Sequence, residues 1–71
     1  MTNNNDFYFI AIGGVGQSAL AKILLQLGYS VSGSDIQESK YTKLVSSLGA
    51  KVFIGHDKNN LQGSPKVVIS S

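Results

Sequence analysis

Three glycines within the four residues GGVG, at positions 13–16, separate an apolar run from an amphipathic stretch. Gly destabilises regular structure by about 0.5–1 kcal/mol relative to Ala, so this cluster indicates a turn that a side chain would obstruct. The apolar run before it, Phe7–Ile12, is typical of a strand buried on both faces of a sheet. The stretch after it predicts a helix, whose apolar side chains are spaced to face the core at Leu20, Ile23, Leu24 and Leu27.

The rest of the chain continues the alternation of strand and helix. Gly28 and Gly49 are predicted to end the two helices. Residues 1–6 are polar and predict a frayed lead-in, and His56–Pro65 predicts a connector with one helical turn. The remaining predicted elements are a strand at Tyr29–Ser34, a helix over about 40–48, a strand at Lys51–Gly55 and a strand at Lys66–Ser70.

The second predicted helix has its own start signal and its own apolar face. Ser39 is the predicted N-cap, because a serine side chain at that position accepts a hydrogen bond from the first helical turn. The side chains that are spaced to face inward are Tyr41, Leu44, Val45 and Leu48.

Strands that alternate with helices predict a sheet of parallel strands joined by right-handed crossovers. We expect the strand order 3-2-1-4, which is half of a doubly wound, Rossmann-like α/β fold with flanking helices. Residues 1–71 are expected to form one incomplete domain, because the chain ends after the fourth strand without the helix that would cover it. The sequence is therefore expected to be the amino-terminal part of a larger multidomain protein.

Composition argues against several functional classes. The net charge of +2 comes from scattered lysines without any Arg, which does not predict a nucleic-acid surface. One His and no Cys do not provide the usual ligand set of a metal site. The sequence has no signal-peptide pattern and no apolar run of membrane-spanning length, so we expect a cytoplasmic protein without membrane contact.

The glycine cluster fits a dinucleotide-type fingerprint in two placements. Gly14–Ala19 reads G-x-G-x-x-A, whereas Ala11–Gly16 lacks the first glycine and would begin inside the predicted strand, so we favour the first. In that placement Gly14 makes the tight turn, Gly16 lets the backbone approach a phosphate and Ala19 lets the helix lie close to the sheet. The free N–H groups at the helix start would then bind a diphosphate. A glycine turn that serves packing alone remains the alternative.

Other polar residues fall at the predicted carboxyl ends of strands, where open α/β sheets bind ligands. Asp35 lies about 20 residues beyond the glycine turn, the spacing of an acid that accepts from a ribose hydroxyl. Ser34 either donates to the same sugar or closes the turn, and His56 is either a ligand contact or a loop residue. Ser70 and Ser71 either line the crevice or are solvated. No arrangement of a catalytic Ser-His-Asp triad is predicted.

Four stretches together cover Phe7 to Ser71: FIAIGGVGQSALAKIL, GYSVSGSDIQES, LGAKVFIGHDKNNL and VVISS. This combination resembles the amino-terminal domain of the Mur ligases of peptidoglycan synthesis. The resemblance implies a Rossmann-like domain that binds the UDP portion of UDP-N-acetylmuramic acid and no nicotinamide cofactor. It implies that the diphosphate is held by Gly13, Gly14, Val15, Gly16, Gln17 and Ser18. It also implies that Ser34 and Asp35 lie by the uridine, His56 by the nucleotide, and Ser70 and Ser71 towards the sugar.

The resemblance further implies a parent enzyme that uses ATP and Mg²⁺ to activate the muramoyl carboxylate for attack by the amine of L-alanine. The resemblance implies that ATP and L-alanine bind on other domains. No G-x-x-x-x-G-K-[ST] motif occurs here, so these residues alone are expected to bind no cofactor and to be inactive. The sequence departs from the family pattern at Ala11, usually Gly, and at Gln17, usually Met. The remaining alternatives are a ligase that recycles muramyl peptides, an NAD-binding domain of a dehydrogenase or regulator, and a Rossmann-like interaction module.

Overall fold

The computed structural model describes residues 6–57 and 65–70. The predicted helical turn of the connector and the site residue Ser71 lie outside the described residues. The elements, in chain order, are β1 (Phe7–Ile10), α1 (Val15–Gln26), β2 (Val31–Asp35), α2 (Lys40–Ser47), β3 (Lys51–Ile54) and β4 (Val67–Ile69). Each predicted strand and helix therefore exists, with most strands shorter than the apolar runs suggested.

The strands form one parallel sheet in the order β3-β2-β1-β4, which confirms the predicted topology. Ile10 pairs with Ser34, and Asp35 pairs with Ile54, so β1, β2 and β3 end at the same edge of the sheet. This carboxyl edge carries the glycine loop and the segments that follow β2 and β3. The topology thus brings the predicted site residues of three strands to one place.

The core lies between the sheet and the two helices, but α1 turns a different face to it than predicted. Phe9 and Ile12 are fully buried, and the fully buried residue of α1 is Ala21. Of the four predicted core positions only Leu24 is half-buried, whereas the other three are exposed: Leu20, Ile23 and Leu27. The buried residues of α1 are the small Ala21 and Ser18, and helical spacing alone does not say which of two adjacent stripes is buried.

The second helix shows the same shift of its buried face. Thr42 and Val45 are buried, whereas Leu44 and Leu48 are exposed and Tyr41 is half-buried. Only Val45 among the predicted inward-facing residues is fully buried. Thr42 can be buried where a leucine was predicted, because its hydroxyl donates a hydrogen bond to the Ser39 carbonyl oxygen within the same helix start.

The predicted helix boundaries are confirmed by their local geometry. Ser39 caps α2, since its Oγ accepts from the Thr42 N–H while the Thr42 Oγ1 accepts from the Ser39 N–H. Gly28 and Gly49 follow the two helices with φ of 93° and 114°, in the left-handed region that glycine enters without strain.

The segment before β1 is ordered at Asp6, which corrects the expectation of a frayed lead-in there. Asp6 is only 7% exposed, and its Oδ2 accepts from the Ser30 N–H at 2.9 Å. Its N–H donates to the Ser30 Oγ at 2.8 Å, and its carbonyl oxygen accepts from the Val67 N–H at 3.1 Å. Asp6 therefore connects β1 to the segments that begin β2 and β4, at the edge of the sheet opposite the glycine loop.

Candidate functional site

The turn after β1 is made by Ala11, which corrects both the predicted strand end and the favoured motif placement. β1 ends at Ile10, and Ala11 has a φ of 68° in the left-handed region. Its carbonyl oxygen accepts from the Gly14 N–H at 3.0 Å. Gly14 itself has φ −63° and ψ 152°, a conformation open to any residue. The placement of the glycine fingerprint at Ala11–Gly16 therefore matches the turn, and Ala11 occupies the first position of the motif.

Gly13 is required by close packing against β2 and α2. A Cβ atom at this position would lie 2.7 Å from the Asp35 Oδ2 and 2.8 Å from the Thr42 Cγ2. The Gly13 N–H donates to the same Asp35 Oδ2 at 2.8 Å. The loop is thus held directly against its neighbours. Thr42 contacts Gly13 in this packing, although no sequence argument placed it at the site. The available signal was its position three residues after the Ser39 cap.

The start of α1 leaves main-chain donors free. Gly14 is the N-cap and provides no side-chain hydrogen bond. Within the described part of the chain, no hydrogen bond engages the N–H groups of Val15, Gly16 or Gln17, whereas the Ser18 N–H donates to the Gly14 carbonyl oxygen at 2.8 Å. A Cβ at Gly16 would meet no atom within 4 Å, so open space faces this first helical turn. Such a turn has the donors and the partial positive charge that bind anions.

The side chains around these donors are directed elsewhere. Ser18 is buried, and its Oγ donates to the Val15 carbonyl oxygen at 3.2 Å, so the hydroxyl serves the helix itself. The Gln17 Nε2 is 3.5 Å from the Ile10 carbonyl oxygen, a long contact back towards β1. Ala19 is exposed, so its predicted role in close packing against the sheet is wrong. The buried residues of α1 are Ser18 and Ala21, and Ala21 belongs to the hydrophobic core cluster.

The Asp35 carboxylate is at the loop, as the spacing predicted, and it binds main-chain groups there. Its Oδ2 accepts from Gly13 and its Oδ1 accepts from the Ile36 N–H at 2.8 Å. A carboxylate offers about four lone-pair sites, so these two bonds leave acceptor capacity at the edge of the sheet. A ribose contact by Asp35 remains a prediction.

Ser34 and His56 form a hydrogen-bonded pair that sequence reasoning did not foresee. The Ser34 Oγ lies 2.7 Å from the His56 Nδ1, with Ser34 buried and His56 exposed. Gly55 places the histidine, because it turns with a φ of 105° and donates its N–H to the Asp35 carbonyl oxygen at 2.6 Å. Both residues had been predicted near a nucleotide separately. Their positions at the ends of adjacent parallel strands were the signal for the pairing.

Ser70 directly follows β4 and is exposed. Since β4 pairs with β1, Ser70 lies at the same edge of the sheet as the glycine loop. Over residues 6–57 and 65–70, no three His, Asp or Glu side chains lie together as a metal site. Neither described helix has the length and apolar composition needed to cross a bilayer.

A parallel sheet in this order, with a turn at the end of β1 and an open helix start beside it, defines the class of Rossmann-like α/β domains. The chain belongs to the Mur ligase family, since its residues 6–71 match the family described as "Mur ligase family, catalytic domain".

Individual relatives agree with this assignment. The chain is 57% identical over 65 residues to the UDP-N-acetylmuramate–L-alanine ligase of Aquifex aeolicus (strain VF5), covering 92% of the chain and 14% of that protein. It is 45% identical over 71 residues to the enzyme of the same name from Dichelobacter nodosus (strain VCS1703A), covering 100% of the chain and 15% of that protein. The chain thus spans about one seventh of the length of these relatives.

A solved structure shares the fold. The murein peptide ligase from Psychrobacter arcticus 273-4 superposes with a TM-score of 0.86 at 24% sequence identity. The match covers 93% of the chain and 14% of that ligase. The architecture of the sheet and its two helices is therefore one that occurs within a Mur-type ligase.

Proposed function

We propose that these residues belong to the amino-terminal UDP-binding domain of a UDP-N-acetylmuramate–L-alanine ligase. The observation that carries the proposal is the row of three unengaged N–H groups at Val15, Gly16 and Gln17, beside a position, Gly16, where an added Cβ would meet no atom within 4 Å. The names of the relatives supply the ligand chemistry, because their shared substrate is a UDP-sugar with an anionic diphosphate. A diphosphate is an anion of the kind that such a helix start binds.

Main-chain groups supply the attraction in this proposal. Each hydrogen bond to a charged oxygen contributes about 1.5–3 kcal/mol, and the helix dipole adds about 0.3–1 kcal/mol. No Lys lies in the loop and the sequence has no Arg, so the proposal relies on main-chain donors. Gly16 leaves room for a phosphate oxygen above the backbone. Gln17 contributes its N–H while its side chain lies back towards Ile10.

The remaining site residues would hold the nucleoside and the sugar. Asp35 retains acceptor capacity for a ribose hydroxyl, and Ser34, which bonds to His56, directly precedes it in β2. Ser70 follows the strand beside the loop and would lie towards the sugar, and Ser71 is proposed for the same role from the sequence alone. Gly13 and Gly14 shape the loop, and Ser18 stabilises the first turn of α1.

In the parent enzyme this domain would bind and orient the muramoyl substrate for chemistry that takes place elsewhere. ATP with Mg²⁺ would supply the phosphoryl group that activates the muramoyl carboxylate for attack by L-alanine. The contribution of the present residues is to fix the UDP end, so that the carboxylate extends towards the rest of the enzyme. They would turn over no ATP alone. The proposal includes a cytoplasmic location for the parent enzyme.

An NAD-binding domain is the second candidate, and the position of Asp35 favours it, because an acid after the second strand is also the mark of dinucleotide-binding folds.

We expect UDP-N-acetylmuramic acid to shift the backbone amide resonances of Val15, Gly16 and Gln17 in a ¹H–¹⁵N NMR titration, because these N–H groups gain an anionic partner. NAD is expected to shift them less. Equal or larger shifts with NAD would contradict the ligase assignment.

A substitution at Gly16 tests the contact directly. Gly16→Val is expected to weaken UDP binding at least about tenfold, because a branched side chain blocks a phosphate from at least one charge-assisted bond. The fold should persist, since the added Cβ meets no atom within 4 Å. Gln26→Val is the matched control, because it places the same side chain at an exposed position of α1 far from the loop. Unchanged UDP affinity in a folded Gly16→Val protein would refute the phosphate site.

A further inference from the structure

The hydrogen bond between Ser34 and His56 joins a buried hydroxyl to an exposed ring. Ser34 is 2% exposed, and its Oγ lies 2.7 Å from the His56 Nδ1. The two residues stand at the carboxyl ends of β2 and β3, next to the Asp35 that holds the glycine loop. The pair is therefore part of the candidate crevice, with its serine on the protein side.

The burial of Ser34 decides which atom donates. A hydroxyl removed from water needs an acceptor for its proton, because a buried donor without a partner is destabilising. Among the described residues, the acceptor within hydrogen-bond distance of the Ser34 Oγ is the His56 Nδ1. The serine therefore donates and Nδ1 accepts. A neutral imidazole that accepts at Nδ1 carries its proton on Nε2.

Among residues 6–57 and 65–70, none accepts a hydrogen bond from the resulting Nε2–H group. The ring is exposed at the edge of the sheet that carries the open helix start. Ser34 has no access to a substrate, because it is almost completely buried, so the pair is not a nucleophile and its base. What it presents to the crevice is a single oriented N–H.

We propose that Ser34 is a positioning residue that holds His56 as an Nε2–H donor to an oxygen acceptor of the bound nucleotide. The identity of the ligand in this inference rests on the proposed function, whereas the tautomer of His56 is inferred from the Ser34 contact and does not. Ser34 acts through the ring and touches no ligand itself. Removing its hydroxyl frees both the tautomer and the rotation of the imidazole, so the effect on binding must pass through His56.

Imidazole ¹⁵N NMR of the protein tests the tautomer without any ligand. The expected spectrum shows a pyridine-like Nδ1 and a protonated Nε2 in the neutral ring, with Nδ1 shifted by its hydrogen bond. Ser34→Ala is expected to remove that shift and to raise the Nδ1–H population. A protonated Nδ1 in the unsubstituted protein would overturn the inference, even if UDP binds well.

A double-mutant cycle with UDP as the probe tests the route of the effect. Where His56 is retained, Ser34→Ala is expected to weaken UDP binding about fivefold. In a His56→Phe background, Ser34→Ala is expected to have no effect on UDP binding. An equal loss in both backgrounds would identify a purely structural role for the hydroxyl and overturn the inference. Circular dichroism confirms that each variant is folded.

A second pair of variants covers the case in which Ser34→Ala does not fold. His56→Gln keeps an amide N–H donor near the position of Nε2, so it should retain more UDP affinity than His56→Phe. Equal losses would overturn the donor role. If UDP does not bind the unsubstituted protein, the ligand in the inference fails together with the proposed function, and the imidazole spectrum still decides the tautomer.

Discussion

Ala11 shows how one residue can change the meaning of a motif. The apolar residues Ile10, Ala11 and Ile12 read as the end of a strand, and Ile12 is indeed fully buried. The chain nevertheless leaves the sheet at Ile10 and turns through Ala11 at a φ of 68°. Hydropathy reports burial and does not report φ, so the departure from the family's glycine was read as a strand substitution. In the structure it falls on the turn.

Replacing Ala11 by glycine should stabilise the protein. An L-residue other than Gly in the left-handed region costs about 1–2 kcal/mol, and the extra unfolded-state freedom of Gly offsets about 0.5–1 kcal/mol of that. The free energy of unfolding of Ala11→Gly, measured by urea denaturation, is therefore expected to rise by about 0.5–1 kcal/mol. Ala11→Val is the contrasting variant, because a β-branched side chain is least tolerated there. A loss of stability on Ala11→Gly would show that the turn is unstrained.

The helices illustrate which features of an element a sequence encodes locally. Their ends were predictable, because Ser39, Gly28 and Gly49 act through hydrogen bonds and φ angles within a few residues. Their buried faces were not, because the sheet selects the stripe that packs most closely. The small Ala21 is buried in place of the adjacent Leu20, and Thr42, whose hydroxyl is satisfied locally, is buried in place of Leu44 two positions further on.

The cap of α2 should matter for both stability and binding. Ser39→Ala removes an acceptor from the first turn of the helix and is expected to lower the free energy of unfolding by about 0.5–2 kcal/mol. Because the same turn presents Thr42 to Gly13, the loop should loosen and UDP affinity should fall with it. Ser46→Ala is the control, since Ser46 is exposed on the same helix and lies outside the capping box. Comparable losses from both serines in urea denaturation would speak against the cap.

At the scale of the whole molecule, the sheet order was predictable from the alternation of elements and the right-handed crossover rule. That order also predicted that residues at the ends of β1, β2 and β3 would lie together, and Gly13 indeed bonds to Asp35 while His56 bonds to Ser34. What it did not predict is how these groups divide their hydrogen bonds. Asp35 binds the loop, and Ser34 binds a histidine, because buried polar atoms take the nearest partners in three dimensions.

Asp6 offers a way to separate stability from binding, because it joins three strands at the edge opposite the site. Asp6→Ala removes a buried acceptor of the Ser30 N–H and is expected to lower the free energy of unfolding by about 1.5–3 kcal/mol. The UDP affinity of the folded protein should not change. Lys66→Ala is the matched control, since its exposed ammonium lies 4.0 Å from the same carboxylate and such pairs contribute about 0–1 kcal/mol. A fall in UDP affinity for folded Asp6→Ala would place Asp6 in the binding machinery.

The bond between Gly13 and Asp35 has a practical consequence for protein engineering. The loop owes its shape to a carboxylate from the neighbouring strand and to a threonine of the second helix, so the GGVG segment cannot be transferred to another protein by itself. Transplanted alone into another parallel sheet, it would leave an amide without its acceptor. A working transplant has to carry the aspartate at the end of the adjacent strand along with the glycines.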